Sequence, residues 1–528
     1  MTGTDAQGIA DQAEVQAQIF AFLADPSTYR GSAHAAGPIA RVDTHGAVVF
    51  LTAWDAYKIK RAVRFPFMDF STLEKRRVAC EHEIAVNRRN APEIYLGTLP
   101  IRKDAQGFHL GGEEGDIVEW AVHLARFDET QTFDRLADAG VLDPVLMAPL
   151  AETIVAAHEQ APMCDGAATR MLRRRLDDTL DGLAVAKDIF PCESVAALKI
   201  NFDAQFEAVE ALLERREKSG QVRLCHGDLH LRNIVLHKSR PLLFDAIEFD
   251  DSIATCDVLY DFAFVLMDLW QRGLKGHANR LFNFYLWRTR EPEAFLEGLA
   301  ALPLFLALRA AIRARVTAAL CRIEPEGRDA RIAEARRFFA AAREFLESVP
   351  ARLIGVGGLS GSGKSMFARE LAPSVGRPPG AVHLRSDVER KRFFRAGPHD
   401  ALPKDAYRLE VTARVYEHLR QLAAIVLKAG HSIVVDAVHA QPEEREALAK
   451  VAEEARAPFA GFWLAAPAET LIARVDSREN DASDAKADVV REQLSWDLGR
   501  IDWQMLDGCR AMEELRELAL SKLTPVAE

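Results

Sequence analysis

The chain has 528 residues, of which 49% are hydrophobic and 27% charged, and this balance is typical of a globular protein with about two to four domains. The formal net charge of −11 argues against a surface that coats nucleic acid. The first residues are polar, so no signal peptide is predicted, and no uncharged apolar run of about 18 residues predicts a membrane span. Seven cysteines without a paired spacing predict reduced thiols in a cytoplasmic protein.

The first strand signals follow a helical pattern over residues 15–23. Residues 47–52 and 56–60 have strand character and are separated by a turn at Trp54-Asp55. Because alternate residues of a strand share a face, Lys58 and Lys60 point to the same side. We select Lys58 as a phosphate-binding lysine from its Ala-x-Lys spacing, with Lys60 as the alternative. An ordinary exposed strand lysine is the competing interpretation.

A helix is predicted over residues 72–90, and it carries Glu81 and Glu83. Which carboxylate pairs with the strand lysine depends on the helix face that turns inward, and we favour Glu83. Residues 130–220 have helical apolar spacing. His158, within this region, is interpreted as a packed histidine near a helix end rather than a ligand.

The stretch from Leu224 to Asp250 predicts strand, loop, strand, turn and strand. Asp228 and Asn233 lie in the loop, and Asp245 ends the second strand of the hairpin. A kinase catalytic centre needs an Asp that accepts a proton from a hydroxyl, followed by an Asn and a second Asp that hold Mg²⁺ on ATP. A polar hairpin loop is the alternative interpretation, but it does not predict these matching offsets.

With His226-Gly227-Asp228 at its start and His230 in place of a lysine, this stretch resembles the aminoglycoside phosphotransferase and choline kinase branch of the eukaryotic-like kinases. The resemblance implies a bilobal α+β fold in which Asp228 is the catalytic base and Asp261 braces the catalytic loop. It also implies metal ligands and ATP-binding residues, namely Asn233 and Asp245 for the metal and Lys58, Lys60 and Glu83 for ATP.

One feature of that family is missing in this chain, and another allows two interpretations. A glycine-rich phosphate loop is missing, since only Thr44-His45-Gly46 lies at its place. Residues 116–122 predict a strand that leads into the interlobe hinge and offers its backbone to adenine, with an edge strand as the alternative.

Further on, Arg309 and Arg313 are four residues apart and share a helix face, either as an anion site for the substrate or, as we favour, as a solvated basic stripe. A last charged helix is predicted over residues 328–349.

After Pro350 a short buried strand, residues 352–356, opens into a glycine-rich loop that is followed by a helix. This is a P-loop in the context that the motif requires, where backbone amides surround phosphate groups at a helix N-terminus. We expect Lys364 to reach the β and γ phosphates of ATP and the Ser365 hydroxyl to hold Mg²⁺. The other candidate nucleotide-binding residues are Gly358, Ser360, Gly361, Ser362 and Gly363.

Three further groups complete the second candidate site. Asp387 follows the strand at residues 382–384 and is the candidate base, with Arg390 beside it as a substrate contact. Asp436 ends the strand at residues 432–436 and suits magnesium or its water shell. Arg474 and Arg478 lie on a lid that neutralises charge on the transferring phosphoryl group. A helix cap for Asp387 and surface positions for the arginines are the alternative interpretations.

Over residues 40–520 the chain resembles the bacterial bifunctional proteins that fuse an aminoglycoside phosphotransferase-like domain to a P-loop kinase-like ATPase domain. The resemblance implies two domains, a bilobal kinase fold over residues 1–350 and a doubly wound parallel sheet over residues 351–528. The fold class is thus α+β followed by α/β. ATP and Mg²⁺ are the implied cofactors.

The function that follows is a bifunctional phosphotransferase acting on hydroxyl groups of small molecules, such as sugars, amino sugars or amino alcohols. One alternative is a kinase of polynucleotide or nucleotide ends, in which Phe393 and Phe394 stack on bases beside Arg390. The other alternative is a regulatory role for one domain, which binds ATP without catalysis. We expect small-molecule phosphate acceptors as partners, no membrane, and no general binding of nucleic acid.

Overall fold

The computed structural model describes residues 3–29, 38–65, 68–323, 327–397, 400–477 and 483–523. The chain divides into two compact units, one formed by residues 1–168 and 217–264 and the other by residues 169–216 and 265–528. The domain boundary that the sequence places between residues 350 and 351 stays a prediction. The second unit includes helices from before this boundary together with the whole P-loop region.

Within the described ranges, the strands are β1 (Ala40–Asp43), β2 (Ala47–Leu51), β3 (Asp55–Lys60), β4 (Arg64–Phe65), β5 (Met68–Asp69), β6 (Tyr95–Asp104), β7 (Gly107–Leu110), β8 (Asp116–Ala125), β9 (Val222–Leu224), β10 (Ile234–His237), β11 (Arg240–Leu243), β12 (Thr255–Asp257), β13 (Leu353–Gly357), β14 (Val382–Arg385), β15 (Ile433–Asp436), β16 (Phe459–Ala465) and β17 (Gln504–Asp507).

The α-helices of the same ranges are α1 (Gly3–Ala24), α2 (Leu73–Asn87), α3 (Phe133–Asp138), α4 (Met147–Gln160), α5 (Ala168–Val185), α6 (Cys192–Lys218), α7 (Asp251–Ala254), α8 (Val258–Gln271), α9 (Lys275–Arg288), α10 (Pro292–Gly298), α11 (Leu302–Ile323), α12 (Arg328–Phe345), α13 (Lys364–Leu371), α14 (Ser386–Phe393), α15 (Leu409–Lys428), α16 (Pro442–Glu454), α17 (Ala468–Asp476), α18 (Ala487–Gln493) and α19 (Met512–Leu523).

The first unit contains a six-stranded antiparallel sheet in the order β1-β2-β3-β8-β6-β7. Because β8 pairs with β3 on one side and β6 on the other, it is a central strand, and the edge-strand interpretation of residues 116–122 is wrong. Ile19 and Leu23 of α1 share a buried core with Phe50 and Ile59 of the sheet. The sheet therefore buries one face against α1 and carries Lys58 and Lys60 on β3.

Helix α2 begins after Thr72, whose side chain accepts a hydrogen bond from the Lys75 amide and so satisfies a free donor of the first turn. Arg76 and Glu83 lie on its buried face. The Arg76 Nε atom is 2.9 Å from each carboxylate oxygen of Glu119 on β8, and these side chains are only 1% and 0% exposed. This ion pair fixes the face of α2 that turns toward the sheet.

The predicted strand, loop, strand, turn and strand over residues 224–250 are confirmed as β9, a loop and the antiparallel hairpin β10–β11. The hairpin turn consists of Lys238 and Ser239, with φ angles of 48° and 64°. Two consecutive positive φ angles match the right-handed twist of the flanking strands, so the turn holds the hairpin in register. Asp245, predicted to end the second strand, lies two residues after the end of β11.

The second unit contains a five-stranded sheet in the order β14-β15-β13-β16-β17, and all of its strand pairs are parallel. The chain enters at the central strand β13, adds β14 and β15 on one side and then adds β16 and β17 on the other. Val356, Val434 and Phe462 belong to its buried core. The predicted parallel sheet is confirmed, and its P-loop lies where the strand order reverses.

One helical stretch of the described residues, Pro292–Arg322, is long and apolar enough to cross a membrane, with a mean hydropathy of 1.8 over its window. Inside the protein, 83% of that window is buried. A core helix passes the same test of length and composition, because burial and lipid favour the same apolar side chains. We therefore interpret this stretch as a core helix of the second unit.

Arg76→Ala should lower the free energy of unfolding of the first unit by about 3 kcal/mol, because the buried Glu119 carboxylate loses its cationic partner. Urea denaturation of the full chain, followed by tryptophan fluorescence, measures this loss. Arg77→Ala is the matched control, since Arg77 pairs on the exposed face of α2 with Glu74 and Glu81 and contributes little. Equal effects of the two changes would contradict the proposed role of the buried pair.

Candidate active sites

The first candidate site is organised around the Glu83 carboxylate, which lies between the two lysines of β3. Glu83 Oε1 is 2.9 Å from Lys58 Nζ, and Glu83 Oε2 is 2.5 Å from Lys60 Nζ. Burial raises the pKa of Glu83, but Lys58 and Lys60 outweigh this effect and the net shift is downward. The predicted choice of Glu83 over Glu81 agrees with this geometry, since Glu81 contacts Arg77 on the outer face.

Lys58 is also in contact with Asp245, the carboxylate that follows the β10–β11 hairpin. Lys58 Nζ lies 2.9 Å from Asp245 Oδ1. The charge of Lys58 lowers the pKa of Asp245, so this carboxyl stays ionised. Asp245 has a φ of 58°, a strained backbone conformation for a residue other than glycine. The Tyr95 hydroxyl accepts a hydrogen bond of 3.0 Å from its amide and supports this conformation.

In the candidate catalytic loop, Asn233 contacts Asp228. Asn233 Nδ2 donates to Asp228 Oδ2 and to the Asp228 carbonyl oxygen, each over 3.0 Å. The Arg232 amide donates to His230 Nδ1 over 3.2 Å, so the proton of a neutral His230 is on Nε2, 3.3 Å from Asp228 Oδ2. Two donors thus hold the Asp228 carboxylate in one orientation. The amide oxygen of Asn233 remains as the atom that suits a metal ion.

Asp261 holds this loop by hydrogen bonds to its backbone, as the family resemblance implied. Its carboxylate accepts hydrogen bonds from the Gly227 amide, over 2.9 Å, and from the His226 amide, over 3.3 Å. His158, which we interpreted as a packed histidine, is 4% exposed and lies 3.3 Å from Asp261. Cys225 completes a compact group with them, but hydrogen bonding and burial raise the pKa of its thiol, which disfavours a metal-binding thiolate.

Sequence reasoning missed Glu248, whose carboxylate contacts Lys60 Nζ in the first site. Glu248 lies three residues after Asp245, within the stretch that carried the kinase pattern. The spacing was visible in the sequence, but only the fold shows that this side chain turns toward β3. Lys60, 2% exposed, is therefore enclosed by Glu83 and Glu248, whereas the more exposed Lys58 contacts Glu83 and Asp245.

The P-loop of the second site has the backbone that its glycines were expected to allow. Gly358, Gly361 and Gly363 have φ angles of 139°, 85° and 93°. A Cβ atom on Gly361 would lie 2.4 Å from the Leu471 carbonyl oxygen, and one on Gly358 would lie 2.5 Å from that of Leu464. Side chains at these positions would therefore push the loop out of shape.

The remaining P-loop residues lie at the start of α13. Lys364 and Ser365 are its first two residues, and the Lys364 ammonium group is 3.4 Å from the Leu359 carbonyl oxygen. The Ser360 amide donates to Gln493 Oε1 over 2.8 Å, and Ser362 is 1% exposed. The loop is thus folded around its own helix N-terminus, where the amides and the helix dipole favour an anion.

Two carboxylates lie at or just after the ends of the neighbouring strands β15 and β14, within electrostatic range of Lys364. Burial raises the pKa of Asp387, and Arg385 and Lys364 offset this only in part. Burial also acts on Asp436, but His383, Arg385 and Lys364 outweigh it and hold the pKa of this carboxyl well below its ordinary value. One acid is therefore tuned toward accepting a proton, and the other is kept ionised, as a metal ligand has to be.

The predicted arginines have different surroundings. Arg474 Nη1 donates to the Gly508 carbonyl oxygen over 3.0 Å and lies 3.5 Å from that of Gly361, so the arginine is close to the P-loop. Arg478 lies outside the described residues. Arg390 is 5% exposed and donates to the Ala406 carbonyl oxygen over 2.6 Å, with Tyr407 stacked 4.9 Å away.

The favoured interpretation of Arg309 and Arg313 as a solvated stripe is wrong for Arg309. Arg309 is 5% exposed on the core helix α11. Arg313 lies over the ring of Phe338 on α12, 5.4 Å from its centroid. Helical spacing alone does not reveal that α12 covers this face, so the sequence could not separate a solvated stripe from a buried one.

Comparison with known proteins agrees with the two kinds of site. Residues 106–315 match the model described as "Phosphotransferase enzyme family", and residues 353–497 match the model described as "AAA domain". The chain therefore consists of a kinase-like domain of the aminoglycoside phosphotransferase type followed by a P-loop kinase domain. Its class is that of the phosphotransferases, and these families imply the use of ATP.

An uncharacterized protein of Mycobacterium tuberculosis (strain H37Rv) is 28% identical over 475 residues, which cover 87% of this chain and 91% of that protein. A choline/ethanolamine kinase family protein from Mesorhizobium loti is 14% identical, with a TM-score of 0.34, over 60% of this chain and 97% of the other. A sugar kinase from Janibacter sp. is 24% identical, with a TM-score of 0.27, over 33% of this chain and 95% of the other.

Lys58→Met should weaken ATP binding at the first site by on the order of tenfold to a hundredfold, because Lys58 is the lysine that faces Asp245. Calorimetry on the full chain with Lys364→Ala, which disables the P-loop, measures this site alone. Lys60→Met is the matched variant and should mainly lower the melting temperature, since Lys60 is enclosed by Glu83 and Glu248. A larger loss of ATP binding in Lys60→Met would assign the phosphate contact to Lys60.

Proposed function

We propose that the protein is a bifunctional phosphotransferase with two separate Mg-ATP sites, each of which phosphorylates a hydroxyl group of a small molecule. The observation that supports this proposal is that each site unites a lysine, an ionised carboxylate suited to bind a metal ion and a second carboxylate suited as a base. In the first site these are Lys58, Asp245 and Asp228. In the second they are Lys364, Asp436 and Asp387.

In the first site, the acceptor hydroxyl binds at Asp228, which orients it toward the γ phosphorus of ATP. The hydroxyl oxygen forms a bond to phosphorus while the bond to the ADP oxygen breaks, and the proton passes to Asp228. Asn233 and His230 hold the carboxylate in place for this step. Lys58, held by Glu83, binds the phosphates of the nucleotide.

The residues present in both sites fit magnesium. In the first, the Asn233 amide nitrogen is committed to Asp228, which leaves the amide oxygen to a cation, and Asp245 supplies a carboxylate. In the second, Ser365 and Asp436 supply a hydroxyl and an ionised carboxylate. Oxygen ligands of this kind are those that Mg²⁺ prefers, and the ion would neutralise charge on the ATP phosphates.

In the second site, Asp387 is the base. Its raised pKa makes it a better proton acceptor than an ordinary carboxylate, and Lys364 lies close enough to affect it electrostatically. Arg474, beside the P-loop, is suited to stabilise negative charge on the phosphoryl group in transit. The acceptor that we propose here is again a small molecule in the cytoplasm.

A kinase of nucleotide or polynucleotide ends is the second candidate for this site, and one observation favours it. Phe393 and Phe394 are 43% and 38% exposed, and Arg414 lies over Phe393. Exposed aromatic rings with an arginine are suited to stack on bases. Transfer of labelled phosphate from ATP to a short oligonucleotide with a 5′ hydroxyl, lost in Asp387→Ala, would support this candidate over a small-molecule acceptor.

Asp228→Ala and Asp387→Ala should each eliminate one labelled product and spare the other, because each removes the base of one site. The losses should be on the order of a hundredfold or more in rate, as expected for a missing general base. The measurement is transfer from γ-labelled ATP to a metabolite library by the full chain. Abolition of the same product by both variants would contradict separate sites, and full transfer by either variant would contradict its role as a base.

A further inference from the structure

Helix α9, which precedes the P-loop region by more than sixty residues in the chain, contacts the edge of its parallel sheet. Asn279, Asn283 and Trp287 are spaced four residues apart, so they lie on one face of α9. All three donate hydrogen bonds to backbone atoms between residues 379 and 383. The two asparagines are 2% and 3% exposed. The contact is therefore a buried polar face rather than an apolar one.

The bonding pattern follows from the position of β14 at the sheet edge. An edge strand has one side of backbone N–H and C=O groups without strand partners. Here the His383 amide donates to Asn283 Oδ1 over 2.7 Å, and the His383 carbonyl oxygen accepts from Trp287 Nε1 over 2.9 Å. Asn279 Nδ2 donates to the Ala381 carbonyl oxygen over 3.0 Å. Side chains of α9 thus take the place of a further strand.

The strand that α9 contacts leads into the candidate base, and two of its side chains lie beside the candidate metal ligand. Asp387 follows β14 by two residues. His383 Nε2 and Arg385 Nε lie 3.4 Å and 3.7 Å from Asp436 Oδ2. The Trp287 ring contacts the His383 ring edge-on at 5.5 Å between centroids, and the Arg385 guanidinium lies 5.7 Å from the Trp287 ring centroid.

We propose that α9 is a working part of the P-loop active site, in which Trp287 and Asn283 are positioning residues that hold β14 and, through His383 and Arg385, the Asp436 carboxylate. This inference rests on the proposed function of the P-loop site. Residues 351–528 alone would leave the edge of β14 without these hydrogen bonds, and His383 and Arg385 without their contacts to Trp287. The second site is therefore completed by a helix that lies before the boundary predicted from the sequence.

The test uses the full chain with Asp245→Ala, which silences the first site, and measures hydrolysis of ATP without an added acceptor. Trp287→Phe keeps an aromatic ring and removes the donor to the His383 carbonyl oxygen. We expect kcat to fall about fivefold and the magnesium concentration for half-maximal rate to rise similarly, with KM for ATP nearly unchanged. Asn283→Ala should act in the same direction.

Trp270→Phe is the matched control, because Trp270 donates its indole proton to Glu344, over 3.2 Å, in the same unit. It should retain the kcat and magnesium dependence of the parent even if its melting temperature falls. The inference is overturned if Trp287→Phe behaves like Trp270→Phe, or if kcat falls only in step with melting temperature. Hydrolysis that is insensitive to Lys364→Ala would instead overturn the proposed function of the P-loop site, and this inference with it.

Discussion

A charge that is taken out of water has to be matched by an opposite charge or by hydrogen-bond donors, because its desolvation costs several kcal/mol otherwise. Both candidate sites are built under this constraint. Glu83 is 0% exposed and contacts two lysines, which places Lys58 beside Asp245. Asp436 is 3% exposed and has His383 and Arg385 as neighbours. In each case the pairing that makes burial tolerable also orients the group that we propose to act on ATP.

The loop that leads into Asp228 in the first site is held by hydrogen bonds from its backbone amides. Asp261 accepts from two consecutive amides, and this fixes the peptide that leads into Asp228. Asp245 has a left-handed backbone conformation that the surrounding hydrogen bonds support. Strain of this kind persists only where the neighbouring structure holds it. The two aspartates are therefore positioned by different means. Asp228 lies in a loop that Asp261 holds, and Asp245 has a backbone conformation that neighbouring hydrogen bonds stabilise.

The second site depends on contacts that run outside its own motif. The P-loop and its glycines are local, but β14 is an edge strand whose free backbone groups are satisfied by the side chains of α9. A fold of this type needs something to cover that edge, since an exposed edge strand invites wrong pairing. In this protein the covering element is a polar helix face, and polar groups are more restrictive in geometry than apolar ones.

The sequence by itself determined the local chemistry: the Asp228, Asn233 and Asp245 spacing, the P-loop from Gly358 to Ser365 and the parallel sheet that follows it. These are patterns over short stretches, where chain geometry decides which residues share a loop or strand end. Only the tertiary structure decided that Glu83 bridges Lys58 and Lys60, that Glu248 joins them, that Arg309 is buried and that Trp287 reaches His383. Those contacts join residues far apart in the chain, and helical or strand periodicity shows which residues share a face but not what that face meets.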